Sequence, residues 1–385
     1  MPNPTTSDPV LNQPLPELRS VVAPNRIESV DLLRGLTIFA MIVVNNPGDW
    51  GNVFAPLLHA PWHGYTPTDL VFPFFLFIVG CSIAFAYRNK QPNARTYRKI
   101  AVRAAKLIGL GIFLGAFTLT FPFFKAWADI RLPGVLQRIG LVFLITAPLA
   151  LHFRWKTLIG IAAALLVGYW VWVMYVPLPD GGAPTLERAP GNWTMIVDKA
   201  IFGTHTWQED YDPEGLASTL PAIATCIIGV LVGRFLVSNQ TNKWTTLLAI
   251  GGALLGIGHL WNVEFPINKA LWTSSFVLAT AGWATLILAV IYYLQDVRGI
   301  QFGKLFKMMG ANALILYFLS SFIAKLLYLI QLPSGATLKG AIYDTVFVHD
   351  WMAPKLSSFL FALGFTLLFA ALAVVLYRRR IFVKV

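Results

Sequence analysis

Residues 44–80 read VNNPGDWGNVFAPLLHAPWHGYTPTDLVFPFFLFIVG. The stretch leaves one apolar segment, crosses a short polar loop and enters a second apolar segment. The loop holds Asn45, Asn46, Asp49, Trp50, His59, Trp62, His63 and Asp69. Two apolar runs joined by such a loop predict membrane helices with a polar site at one face, rather than a soluble core.

Composition extends that reading to the whole chain. Of its 385 residues, 56% are hydrophobic and only 12% charged, with a mean hydropathy of +0.64. Soluble domains carry roughly 25% charged residues. The expected fold is therefore all-α, a polytopic membrane bundle of about ten transmembrane helices. The spans fall near 31–47, 66–87, 100–121, 133–151, 156–176, 216–236, 244–261, 270–294, 305–330 and 351–377, with Lys325 interrupting the ninth. Each covers about 30 Å of hydrocarbon at about 1.5 Å per residue. Residues 1–27 are polar and rich in Pro and Asn, without the basic start and short apolar core of a signal peptide. They read as a disordered cytoplasmic tail, the first span being an uncleaved anchor and residues 28–385 the membrane domain.

The formal charge of +12 does not point to nucleic acid, because in a membrane protein the placement of Lys and Arg matters more than their sum. With the N-terminus inside, 21 of the 30 basic residues fall on inner segments and every inner loop is basic, which puts both termini in the cytoplasm. The 45–68 loop then lies outside. So does the longest connection, about 177–215, which is acidic and holds Trp193 and Trp207. A connection of that length is uncommon unless it is functional, and it is expected to wall an extracytoplasmic pocket. Cys81 and Cys226 both sit in apolar runs and read as small buried residues.

Several side chains can carry chemistry. His59 is suited to exchange protons near neutral pH, and His63 has the same chemistry. Asn45 closes the first span and can cap carbonyls or donate to a developing oxyanion. Asp69 follows Thr66-Pro67-Thr68 at a helix start, where a carboxylate suits the helix dipole. Asp31 and Arg34 stand one turn apart in the first span. Gln137 and Arg138 lie in the fourth span, where an arginine requires a partner or a polar cavity. Asn268 and Lys269 stand together at the outer end of the eighth span, and Asn312 lies among small residues in the ninth. Walker, HExxH and GxSxG motifs and Cys-rich metal spacings are absent from the sequence, so ATP hydrolysis and metalloprotease chemistry have no support.

The motifs SVDLLRGL, VNNPG, LHAPWHGYTPTDLVFPFFLFIVGCSI, GVLQRIG, DPEGLASTLPAI and PINKALWTSSF occur in that order along nearly the whole membrane region. Together they resemble the bacterial relatives of heparan-α-glucosaminide N-acetyltransferase, a transmembrane acyltransferase family. The resemblance implies a bacterial inner-membrane protein, a homodimer in the family's manner, that uses cytoplasmic acetyl-CoA and no metal. It acetylates the amine of a glucosamine-type sugar on the far side of the bilayer. It maps the catalytic histidine to His59 and a second site residue to Asn45. On this basis Trp50, Trp62, His63, Asp69, Asn268 and Lys269 are expected around the sugar, and Arg34, Gln137, Arg138 and Asn312 around CoA. His59 would act as general base or as acetyl carrier. The residues themselves leave open a sugar O-acetyltransferase and an amino-sugar transporter; polar groups gathered at one face rather than the midplane disfavour transport.

Overall fold

A computed structural model of the chain describes residues 27–383, so the expected tail at 1–27 lies, apart from Ile27, outside the described residues. Among the described residues there are thirteen α-helices and no strand. They are α1 (Glu28–Asn45), α2 (Val71–Tyr87), α3 (Ala94–Ala116), α4 (Val135–His152), α5 (Trp155–Tyr175), α6 (Trp193–Phe202), α7 (Thr219–Leu236), α8 (Lys243–Trp261), α9 (Ser274–Tyr292), α10 (Lys304–Ala311), α11 (Ala313–Leu329), α12 (Leu338–Val346) and α13 (Pro354–Arg378).

Seven of these are long and apolar enough to cross a membrane: α2 with the turn before it, α4, α5, α7, α8, α9 with the π-turn after it, and α13. Two of the ten expected spans, α1 and α3, are charged. α1 carries Glu28, Asp31 and Arg34, and five basic residues stand in the first thirteen positions of α3. α1 is nevertheless buried, packed against α2, α9, α10 and α13. Its charges are paired: Arg34 with Asp31 at 3.0 Å, and Glu28 with Lys307 of α10. The expected ninth span is not one helix. α10 and α11 meet at 82° across Asn312, which leaves helical geometry at φ −126° and ψ 28°. Its amide accepts from Val383 N and donates to Ile381 O, both at 3.0 Å, so the segment after α13 is tied to the break.

Close helix packing explains two glycines. α2 and α7 cross so closely that a Cβ on Gly80 would stand 2.0 Å from the Cys226 carbonyl oxygen, and one on Gly229 2.0 Å from that of Phe77. Such small-residue contact is how membrane helices approach one another. This pair forms the axis of the bundle, with α4, α5 and α9 around it.

Candidate active site

The polar loop between α1 and α2 is shaped by one carboxylate. Asp69 Oδ2 accepts from the backbone N of Thr66 at 2.9 Å and of Ala60 at 3.0 Å, which is a capping box with Thr66 before α2. Asp69 Oδ1 stands 2.6 Å from Nδ1 of His59. The two partners differ in exposure: the Asp69 side chain is 1% exposed and that of His59 is 48%. A buried carboxylate thus holds one ring nitrogen while the rest of the imidazole opens outward.

Lys269 completes the cluster. The 266–276 segment folds into a tight turn in which Asn268, fully buried, accepts from Leu271 N at 2.9 Å and donates its backbone N to Thr273 Oγ1 at 3.0 Å. The turn is joined to the His59 loop by Gly64 N, which donates to Ile267 O at 2.7 Å. It places Lys269 Nζ 3.0 Å from His59 Nδ1, 3.2 Å from Nε2 and 3.5 Å from Asp69 Oδ1. A point at nearly equal distance from both ring nitrogens lies along neither lone pair. The lysine therefore acts on the ring as a neighbouring charge and leaves the in-plane Nε2 direction open. Burial pushes the Lys269 ammonium below the usual lysine range, opposed by the negative charges of Asp69 and Glu214.

His63 and Trp62 face the long connection. His63 lies 3.2 Å from Glu187 and 3.3 Å from Asn268, and the Trp62 indole donates to Leu186 O at 3.0 Å. That connection is not structureless: α6 lies within it, N-capped by Asn192, and Asp198 on α6 accepts from Leu216 and Ala217 N just before α7. Burial pushes the Asp198 carboxyl up to about 6, against the lowering effect of those two N–H groups and of Arg138. Arg131 grips Asp212 and Glu214.

Other residues separate from this cluster. Trp50 is 56% exposed, and among the described residues no side-chain hydrogen bond joins Trp50 or the exposed Asn45 to His59. Its neighbour Asn46 turns its amide back onto Ile42 O at 2.7 Å. Arg138, expected at CoA with Arg34, does not stand with it but lies at the end of the bundle that holds the long connection. It is 2% exposed, donates to Gly215 O at 2.9 Å and to Ser218 Oγ, and stacks over Trp272. The reason is its place in the first turn of α4, which begins at that same end. Gln137 beside it faces Gly111 and Gly134.

At the opposite end of the bundle a cavity of about 330 Å³ is lined by Arg34, Ser82, Arg103, Asn312 and Val383, and rises along α2 to Phe75. Arg34 is held there by Asp31, by Ser82 Oγ at 2.9 Å and by Gly310 O at 3.3 Å. Arg103 also lines an adjoining groove of about 540 Å³ with Arg95, Arg98, Lys99 and Lys106. These five residues share one face of α3. In the sequence these five read only as basic residues of an inner segment, Arg95, Arg98 and Lys99 before the expected span at 100–121 and Arg103 and Lys106 in its first turns. Arg34 and Asn312, expected together, do share this cavity. Its donors suit a polyanion with a narrow uncharged arm: guanidinium groups at the mouth, and Phe75, Ile78 and Leu107 deeper.

Comparison with known proteins bears on both ends. A family profile described as heparan-alpha-glucosaminide N-acetyltransferase, catalytic, matches residues 26–261. That region holds the His59 loop, Asp69, Arg34, Arg103 and the long connection. Among curated proteins, the chain is 30% identical over 382 residues to human heparan-alpha-glucosaminide N-acetyltransferase and 29% identical over 377 residues to the mouse protein, covering 82% of this chain in each case. It spans 56% of the length of each, a little over half. With the profile covering well over half its length, the chain belongs to the heparan-alpha-glucosaminide N-acetyltransferase catalytic family.

Proposed function

We propose that the chain is a membrane acetyltransferase that moves an acetyl group from acetyl-CoA, bound at the Arg34–Arg103 end, to the amine of a glucosamine-type sugar arriving at the His59 end. The observation that carries this reading is the His59–Asp69–Lys269 cluster, which presents a half-exposed imidazole on a buried carboxylate at one end of the bundle. The basic cavity at the other end supports it. In this reading α1, α3 and the bent α10–α11 pair cross the membrane with the seven apolar helices. Both termini face the cytoplasm of a bacterial cell, and the protein sits in the inner membrane.

The nucleotide phosphates rest on Arg95, Arg98, Lys99 and Lys106, and the pantetheine arm enters past Arg103 and Arg34. The top of the cavity at Phe75 is six residues from Asp69, roughly 9 Å of helix rise, so a modest extension brings the thioester to His59. The sugar amine attacks the thioester carbonyl carbon, its N–C bond forms and the C–S bond breaks. His59 Nε2 takes the proton lost by the amine, while Asp69 accepts from Nδ1–H and fixes the tautomer. The proton passes to the departing CoA thiolate. The Lys269 ammonium faces the charge that develops on the carbonyl oxygen. Trp62 and His63, set against the long connection, line the sugar side.

Transfer of label from acetyl-CoA to glucosamine by purified protein, with His59→Ala alongside, tests the proposal. Transfer by the parent and none by the folded variant supports it, and no transfer to amino sugars or sugar alcohols together with no CoA binding refutes it. Label retained on the protein without acceptor would assign His59 as acetyl carrier rather than base.

A further inference from the structure

On the flank of the bundle, apart from the His59 cluster and the Arg34 cavity, a cleft of about 980 Å³ opens between α5 and α8. α5 packs on α7 and α8 packs on α9, and the cleft lies over the α7–α9 seam. Its walls are apolar: Ile159 and Leu166 of α5, Leu231 of α7, Ile250 and Leu254 of α8, and Leu278 of α9. Its polar lining, Arg154, Arg234, Ser238 and Gln240, gathers at one end, beside Trp155. We infer that this cleft is a binding site for one phospholipid with an anionic headgroup, its acyl chain between α5 and α8 and its phosphate on Arg154 and Arg234.

Three observations argue for that occupant over a helix of a partner protein. The first is charge: one mouth is doubly basic, and the α8 side adds Lys243 to the same level. Arg234 is held in place there, donating to the Phe153 carbonyl at 2.9 Å and to that of Ala150, so its guanidinium is fixed before any ligand arrives. A phosphate above an acyl chain matches two guanidinium groups at the end of an apolar slot, full charge against full charge. The second is depth. From Arg154 to Leu166 the cleft descends twelve residues of α5, about 18 Å, against about 15 Å for half of a 30 Å hydrocarbon core. One extended acyl chain fits that length. The third is the mouth itself, where Trp155 is 56% exposed with Lys156 over its ring, an aromatic and cationic pair that suits the headgroup level.

The test is native mass spectrometry of the detergent-purified full chain, before and after incubation with phosphatidylglycerol or phosphatidylcholine of equal chain length. The parent should retain one phospholipid per chain and prefer phosphatidylglycerol about tenfold. Ala163→Phe fills the cleft from α5 and should lose most of the adduct, with Ala163→Leu as a milder filling if the larger side chain prevents folding. Ala249→Phe, on the outward face of α8, should keep the adduct. Arg154→Gln should lose the preference between headgroups while still binding. No adduct on the parent, or the same adduct on both cleft-filling variants, would overturn the inference. A bound peptide or protein in place of lipid would overturn it too.

Discussion

His59 Nδ1 stands 2.6 Å from Asp69 Oδ1, and the same carboxylate caps the start of the second apolar segment through its other oxygen. One buried group thus builds the loop and orients the imidazole. Replacing His59 by alanine should lower turnover by about 10²–10⁴-fold with folding retained. Asp69→Asn should lose about as much turnover and also melt earlier, since it weakens the cap. Thermal unfolding of the two variants beside their kinetics checks that contrast.

Lys269 should act through charge. Its ammonium faces the oxygen on which charge develops in the proposed transfer, so its removal should cost turnover rather than binding. Lys269→Met should therefore lower kcat by about 10²-fold with KM for acetyl-CoA nearly unchanged. Lys269→Arg keeps the charge and should lose far less. A kcat unmoved by Lys269→Met would show that the lysine takes no part in the transfer.

The basic face of α3 should govern the CoA side. Arg103→Gln should raise KM for acetyl-CoA about tenfold while leaving turnover nearly unchanged, the pattern of lost uniform binding. Adding salt should weaken the parent more than the variant. Titration of CoA binding at two ionic strengths measures both effects.

Asp198 should make stability depend on pH. Its carboxyl is pushed up to about 6 in the folded chain from an ordinary value of 3.8, so the folded state binds more protons between those values. Stability is then highest below about pH 4 and falls as pH rises to about 6, by about 3 kcal/mol at most. Above that it is flat. Asp198→Asn keeps the Oδ1 acceptor for Leu216 and Ala217 and should remove the slope. Melting temperatures from pH 4 to 7 on both proteins test this.

Uniform apolar runs were legible from sequence to within a few residues: α5 is expected at 156–176 and found at Trp155–Tyr175. α3 begins six residues early because its first turns, with Arg95, Arg98 and Lys99, are helical yet basic, and a reading keyed to apolar runs starts after them. The ninth span shows its irregularity in the sequence at Lys325, yet α11 runs through that residue and the break falls at Asn312. Asn312 leaves the helix to bond a segment some seventy residues away. In the site, Asp69 is readable as a helix cap, but its reach to His59 depends on how the loop closes. Lys269 reaches His59 only through the fold of a second loop. Arg138 and Arg34 show a further limit. A cation in an apolar run implies a partner, but the end of the bundle it serves follows from helix direction and contacts.

The break at Asn312 has a consequence for mutagenesis. Between Gly310 and Leu314 the wall of the Arg34 cavity includes main chain, and such irregular backbone is tolerated in an apolar bundle where protein surrounds it. Arg34 already takes one of those carbonyls. A scan that swaps side chains leaves peptide groups untouched, so this wall will read as silent even where it touches the ligand. Amide-to-ester replacement at these positions is the probe that addresses it.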